Sequence, residues 1–258
     1  MTLLERFRLL RRSGRKALAV LIDPEKNITS DHIRALLGNS GAEAIDCLLV
    51  GGSTATPETY ISTIRLIRRQ SDIPVVLFPA HPAHLCDGAD AVLLLSLISG
   101  RNPDLLIGHH IDAARRLQDS RMELLPTGYI LVGDDEDTAV ARVSGCRPIP
   151  VMEKELAAST ALAGEMLGLQ LIYLEAGSGA NRPVNPEIIR SVRKLTSVPI
   201  LAGGGIRTAA AAQAAWESGA DIVVIGNALE QDPGRIEEFT NLPRQNHPFP
   251  NVNSDVAP

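Results

Sequence analysis

The sequence predicts an α/β fold, specifically a closed TIM-type (β/α)8 barrel in which the third helix is missing or replaced. Three observations lead there. Eight apolar, β-branched runs recur along the 258 residues, and most are followed by a helical pattern. Continuous apolar strands separated by helices belong to a parallel sheet covered on both faces, and eight such units close on themselves better than they form an open sheet. The late runs also stop in glycine: Tyr173-Leu-Glu-Ala-Gly-Ser-Gly-Ala180, Ala202-Gly-Gly-Gly-Ile-Arg207 and Val224-Ile-Gly-Asn-Ala228. Strand ends of that kind expose backbone N–H groups at one rim, where they cradle a phosphate.

The elements follow in order. Leu3, Leu4, Phe7, Leu9 and Leu10 fall at helical spacing among basic residues. A signal peptide needs an unbroken apolar core of roughly 7–15 residues, so an amphipathic helix capping the core is expected, ahead of a targeting or membrane-surface segment. Strands are predicted at Ala17–Ile22, Cys47–Val50, Pro74–Phe78, Ala91–Leu95, Leu124–Val132, Leu171–Leu174, Val198–Leu201 and Ile222–Ile225. Helices are predicted at Ser30–Leu37, Pro57–Gln70, Asn102–Gln118, Glu153–Leu167, Pro186–Leu195 and Thr208–Ser218, several opened by Ser, Thr or X-Pro caps. Between Phe78 and Ala91 the Pro-rich connection Pro79-Ala-His-Pro-Ala-His is too short for a full crossover helix. Gly133–Thr138 reads as an acidic turn into a short helix, and residues 241–258 as a flexible tail after a single domain spanning 1–240.

The formal net charge of −5 argues against nucleic acid as a partner. Cys47, Cys86 and Cys146 are odd in number and widely spaced, which favours neither disulfides nor a zinc pair and fits a cytoplasmic setting. No window approaches the ~20 apolar residues of a membrane span, so a soluble protein with at most transient membrane-surface contact is expected. Trp216, the single tryptophan, is predicted on an outer helix and is a candidate interface anchor for an expected homo-oligomer.

In a β/α barrel the chemistry sits at the carboxyl ends of the strands. Asp23 follows the first strand and Ser53 or Thr54 the second, one carboxylate and one or two neutral oxygens. That sparse set suits Mg²⁺ carried by a phosphorylated substrate; the alternative is that Asp23 only caps the following helix. Tyr173 and Glu175 share one strand face, with Glu175 at the rim as a candidate general base or hydroxyl acceptor, or else a helix cap. His81, His84, His109 and His110 lack zinc-site spacing, and Gly203-Gly-Gly-Ile-Arg207 is no dinucleotide fingerprint.

Leu21-Ile-Asp-Pro-Glu-Lys26, Val50-Gly-Gly-Ser-Thr-Ala-Thr56, Leu77-Phe-Pro79, Leu95-Ser-Leu-Ile-Ser-Gly-Arg-Asn-Pro103 and Pro126-Thr-Gly-Tyr-Ile-Leu131, with the three glycine turns, resemble the geranylgeranylglyceryl phosphate synthase family in order and over most of the chain. The resemblance implies a barrel lacking its third helix. It also implies Mg²⁺-dependent transfer of a long prenyl chain, most simply geranylgeranyl, from its diphosphate to the 3-hydroxyl of sn-glycerol 1-phosphate. By position, Asp23 and Ser53 would hold Mg²⁺, with Asp23 and Glu175 catalytic. Tyr173, Leu174, Glu175, Ala176, Gly177, Ser178 and Gly179 would bind glycerol phosphate, together with Gly204, Gly205, Gly226 and Asn227.

The pattern departs from its relatives in places. Leu21 stands where related bacterial heptaprenyl transferases carry a lysine, which favours the archaeal-like branch. Ala80 replaces the glycine of the Phe-Pro-Gly turn, and Gly133–Cys146 does not resemble the archaeal stretch. Arg101 is a candidate diphosphate contact, and Ala83, Ala89 and Ala91 are candidates for shaping the prenyl groove. Two rival readings share the phosphate rim: a phosphosugar isomerase or cyclase, which would need Asp46 or Asp221 as a second acid/base group, and a phosphate-binding barrel without catalysis.

Overall fold

The computed structural model describes residues 1–242 apart from 27, 39, 40, 53 and 136, so the tail expected at 241–258 lies outside the described residues from 243 onward. Eight parallel strands close a barrel in sequence order: β1 Ala17–Ile22, β2 Cys47–Val50, β3 Val75–Leu77, β4 Ala91–Leu97, β5 Glu123–Leu131, β6 Leu171–Glu175, β7 Ile200–Gly203 and β8 Ile222–Ile225. Closure is direct, since β1 pairs with β2 through Ala19↔Cys47 and with β8 through Ala17↔Ile222.

Residue parity along the strands divides the core in two. Ala17, Ala19, Cys47, Leu49, Leu93 and Leu201 point into the barrel, while Leu18, Val20, Leu48, Val50, Ile172 and Leu174 pack outward under the helices. Alternation of Cβ direction imposes this, and burial on both faces explains why the strands read as unbroken apolar runs. Helix α1, Leu3–Ser13, closes the barrel floor with Leu3, Phe7 and Leu10. It is fixed there by a Thr2/Glu5 capping box and by the Glu123 carboxylate, which accepts from Leu3 N at 2.7 Å and Leu4 N at 2.9 Å. The small inner residues Ala17, Ala19 and Ala91 belong to the same packed cluster as that floor.

The outer layer comprises α2 Ser30–Leu37, α3 Gly41–Ala44, α4 Pro57–Arg68, α5 His109–Asp119, α6 Ala139–Ser144, α7 Lys154–Met166, α8 Pro186–Leu195, α9 Ala209–Glu217, α10 Asn227–Gln231 and α11 Ile236–Thr240. As expected, no crossover helix follows β3; a 3₁₀ turn, Pro82–His84, takes its place. Helix α5 is preceded by a π turn at Asp104–Gly108, a geometry frequent at functional sites. Trp216 departs from expectation: on α9 it is 2% exposed and its indole N–H donates to Ala17 O at 3.1 Å, so it anchors helix to strand and not one copy to another. Among the described residues no helix is long and apolar enough to cross a membrane.

Candidate active site

One continuous cavity opens at the carboxyl ends of the strands and runs sideways over the outer face of β4, where the crossover helix is missing. At the mouth it is lined by Asp23, Glu175, Gly204, Gly205, Gly226 and Asn227. Along the side it is lined by Leu85, Val92, Leu94, Ala113 and Leu117, all apolar. A polar, glycine-rimmed basin thus continues into a hydrocarbon groove.

Glu175 ends β6 at the junction of the two, and it is 5% exposed. Its Oε1 accepts from Gly177 N at 2.7 Å. Burial pushes its pKa up to about 7, although that N–H and the Tyr173 and Tyr129 hydroxyls beside the carboxylate pull the other way. The Tyr173 hydroxyl is buried beside that carboxylate and meets no other hydrogen-bond partner among the described residues. Beneath the carboxylate three rings pack together: Phe78 stacks on Tyr173 at 5.4 Å, and Tyr129 meets Phe78 at 5.9 Å and Tyr173 at 5.3 Å edge to face.

The glycines of the rim are required by space as well as by backbone conformation. Gly204 has φ +79°, and a Cβ there would overlap Glu175 Oε1 and stand 2.7 Å from Gly177 N. Gly177, at φ +101°, lies so close to the Thr138 side chain that no Cβ fits between them. Bare backbone at Gly204 and Gly205, just past β7, therefore faces the basin, while Gly177 lets the loop after β6 pack against Thr138. Arg207, one residue past Ile206, also lines it and supplies a cation.

Asp23 lies across the mouth, its Oδ1 accepting from Glu25 N at 3.0 Å. A Cβ at Gly52 would come within 2.6 Å of that same oxygen, so β2 presents bare backbone to the carboxylate. Burial raises the Asp23 pKa against the hydrogen bond from Glu25 N, with the Glu25 carboxylate adding to the rise and Lys26 opposing it. Glu230, also lining the cavity, is raised by burial and by Asp23. Partly desolvated carboxylates facing one another favour a cation between them.

The other residues singled out in the sequence are placed as follows. Ser53 lies outside the described residues, whereas the Thr54 backbone N–H donates to Glu25 Oε1 at 2.8 Å. Ser178 and Gly179 line the cavity; Leu174, Ala176 and Gly177 do not, because Leu174 and Ala176 turn outward into the helical layer. The Arg101 guanidinium donates to Ile98 O at 3.2 Å and Gly100 O at 2.6 Å, its own loop, and does not line the cavity. Neither do Ala83, Ala89 or Ala91. Asp46 accepts from Leu18 N at 2.8 Å and Asp221 from Ile200 N at 2.9 Å, both at the strand starts and remote from the mouth. The isomerase reading thereby loses its second acid/base group.

Sequence reasoning missed Tyr129, Thr138 and Glu230. Tyr129 shares inward parity with Leu125 and Leu131, and Glu230 lies one helical turn beyond Gly226, so both were accessible to periodicity. Thr138 had no local signal, since its role depends on the β5 and β6 loops meeting in space.

Residues 11–242 match the family model described as the PcrB family. A geranylgeranylglyceryl phosphate synthase of Spirosoma linguale is 49% identical over 245 residues, covering 95% of this chain and 97% of its own. One from Thermococcus gammatolerans is 40% identical over 220 residues, covering 85% and 86%. A crystal structure of (S)-3-O-geranylgeranylglyceryl phosphate synthase from Thermoplasma acidophilum, in complex with its substrate sn-glycerol-1-phosphate, superposes with a TM-score of 0.86 at 31% identity, covering 93% of this chain and 96% of that one.

Proposed function

Because this chain belongs to the PcrB family, we propose that it is a prenyltransferase joining a long-chain prenyl diphosphate, most simply geranylgeranyl diphosphate, to the 3-hydroxyl of sn-glycerol 1-phosphate. The products are an ether-lipid precursor and pyrophosphate. The observation that carries this reading is the position of Glu175, a buried carboxylate between a glycine rim suited to phosphate and a groove suited to hydrocarbon.

Glycerol phosphate would enter with its phosphate on the backbone of Gly204, Gly205, Gly226 and Asn227 and with Arg207 beside it. Its hydroxyls would meet Glu175 and the Tyr173 hydroxyl. The prenyl chain would lie along Leu85, Val92, Leu94 and Leu117, which exclude water from the allylic carbon. In the reaction the bond from that carbon to the diphosphate oxygen breaks, its electron pair leaving with pyrophosphate. The glycerol oxygen bonds the carbon, and its proton passes to Glu175. A base with a pKa of about 7 is matched to that transfer near neutral pH. The faces of Phe78, Tyr129 and Tyr173 favour positive charge developing nearby.

Asp23 fits a magnesium ion: it is a half-buried carboxylate of raised pKa, with Glu230 facing it and a substrate that brings its own phosphate oxygens. Among the described residues no group of three or more His, Cys, Asp or Glu could hold a metal, in keeping with an ion that takes few protein ligands. When bound, such an ion supplies neutralisation of the departing pyrophosphate. The free thiols Cys47, Cys86 and Cys146 support a cytoplasmic setting.

The test is incubation with radiolabelled sn-glycerol 1-phosphate, a ladder of prenyl diphosphates and Mg²⁺, followed by organic extraction. Label should enter the organic phase, and Asp23→Asn and Glu175→Gln should abolish the transfer. No extracted label at any chain length overturns the function; full activity in both variants overturns the roles.

A further inference from the structure

Three of the four histidines that carried no role in the sequence, His81, His109 and His110, line the cavity. His81, in the Pro-rich connection that replaces the crossover helix, and His109, at the start of α5, both line it where the mouth meets the groove. Their rings stand edge to face, 4.9 Å apart with 69° between planes.

We propose that His81 and His109 form a recognition pair for the diphosphate of the prenyl donor, contacting it from the side opposite Asp23; the inference rests on the prenyltransferase reading above. The hydrogen bonding of the connection prepares His81 for this role. Ala83 N donates to His81 Nδ1 at 3.1 Å, so the neutral ring carries its proton on Nε2, a donor with no hydrogen-bond partner among the described residues. The segment is also tied to the strand end beside Asp23. The His84 ring stacks on Tyr60 at 5.2 Å, and the Tyr60 hydroxyl accepts from Gly52 N at 3.0 Å and donates to Gly52 O at 3.1 Å. Prolines 79 and 82 restrict the backbone on either side of His81.

Charge favours such a pair. Across the mouth stand the acids Asp23, Glu25 and Glu230 with Lys26 near them, Leu21 occupies the wall, and Arg101 is spent on its own loop carbonyls. A diphosphate there needs donors, and the imidazoles provide them without a permanent charge. His109 has its pKa lowered by burial and then by His81, while Asp104 and Asp112 oppose that shift and His110 adds to it; His81 faces His84 as well as His109. An anion held beside the rings opposes the lowering at His109 and favours the protonated imidazole there.

The experiment is calorimetric titration of the protein with inorganic pyrophosphate plus Mg²⁺, and separately with sn-glycerol 1-phosphate. It uses the wild type, His81→Asn, His109→Ala and the double variant. Asn at 81 keeps an acceptor for Ala83 N and removes the Nε2 donor. Each single change should weaken pyrophosphate about tenfold and leave glycerol phosphate affinity unaltered. Titrations in two buffers of different ionisation heat should reveal proton uptake with pyrophosphate that the double variant loses. Unchanged pyrophosphate affinity and proton uptake in the double variant overturn the proposal. Wild-type binding of glycerol phosphate without pyrophosphate overturns it while sparing the phosphate rim; binding of neither brings down the prenyltransferase reading with it.

Discussion

Glu175→Gln should inactivate the protein and, at alkaline pH, stabilise it. Burial raises the folded-state pKa from 4.5 to about 7. The native state therefore holds its proton more tightly than the unfolded chain does. Stability associated with this group is fully present below about pH 4.5 and is lost as pH rises toward 7. Between pH 5 and pH 8 linkage puts the loss at about 2.5 kcal/mol, since each unit of pKa difference corresponds to about 1.4 kcal/mol. Glutamine keeps an oxygen for Gly177 N and carries no charge, so it escapes that loss. Thermal melts of wild type and variant at both pH values should show the variant gaining roughly 5–10 °C at pH 8 over its difference at pH 5. A difference that does not change with pH, or a variant that melts lower at pH 8, refutes the reasoning about Glu175.

Gly204→Ala should abolish glycerol phosphate binding, because the new Cβ collides with Glu175 Oε1. Gly168→Ala is the control: its φ is also positive, at +93°, but nothing lies within 4 Å. Both should lose about 1–3 kcal/mol of stability, and calorimetry should find only Gly204→Ala impaired in binding. Trp216→Phe should lower the melting temperature through loss of the bond to Ala17 O, with no change in oligomeric state by light scattering, since the indole is sealed between helix and strand.

Much of the barrel is written in short-range pattern. β1, β2 and β8 and helices α2 and α8 begin and end where apolar runs, caps and prolines indicate, because those signals act within a few residues. The missing crossover helix was legible for the same reason, as chain length and two prolines limit what can form. Failures came where the third dimension decides. The α9 sequence Ala-Ala-Ala-Ala-Gln-Ala-Ala-Trp-Glu offers little contrast between faces, so nothing local told that Trp216 points inward. Within Tyr173–Gly179 the alternation that pairs Tyr173 with Glu175 on one face was legible, but the resemblance took the motif as a block and so carried in Leu174, which turns outward. The packing of Thr138 on Gly177 joins two loops far apart in sequence and has no signature in either.

The groove over β4 lies outside the barrel wall, whereas the bond-forming groups stand within its mouth. Head-group chemistry and tail accommodation are thus housed in separate layers of the molecule. Substitutions at Leu85 or Leu117 would therefore change the room along the groove without touching Glu175 or the glycine rim.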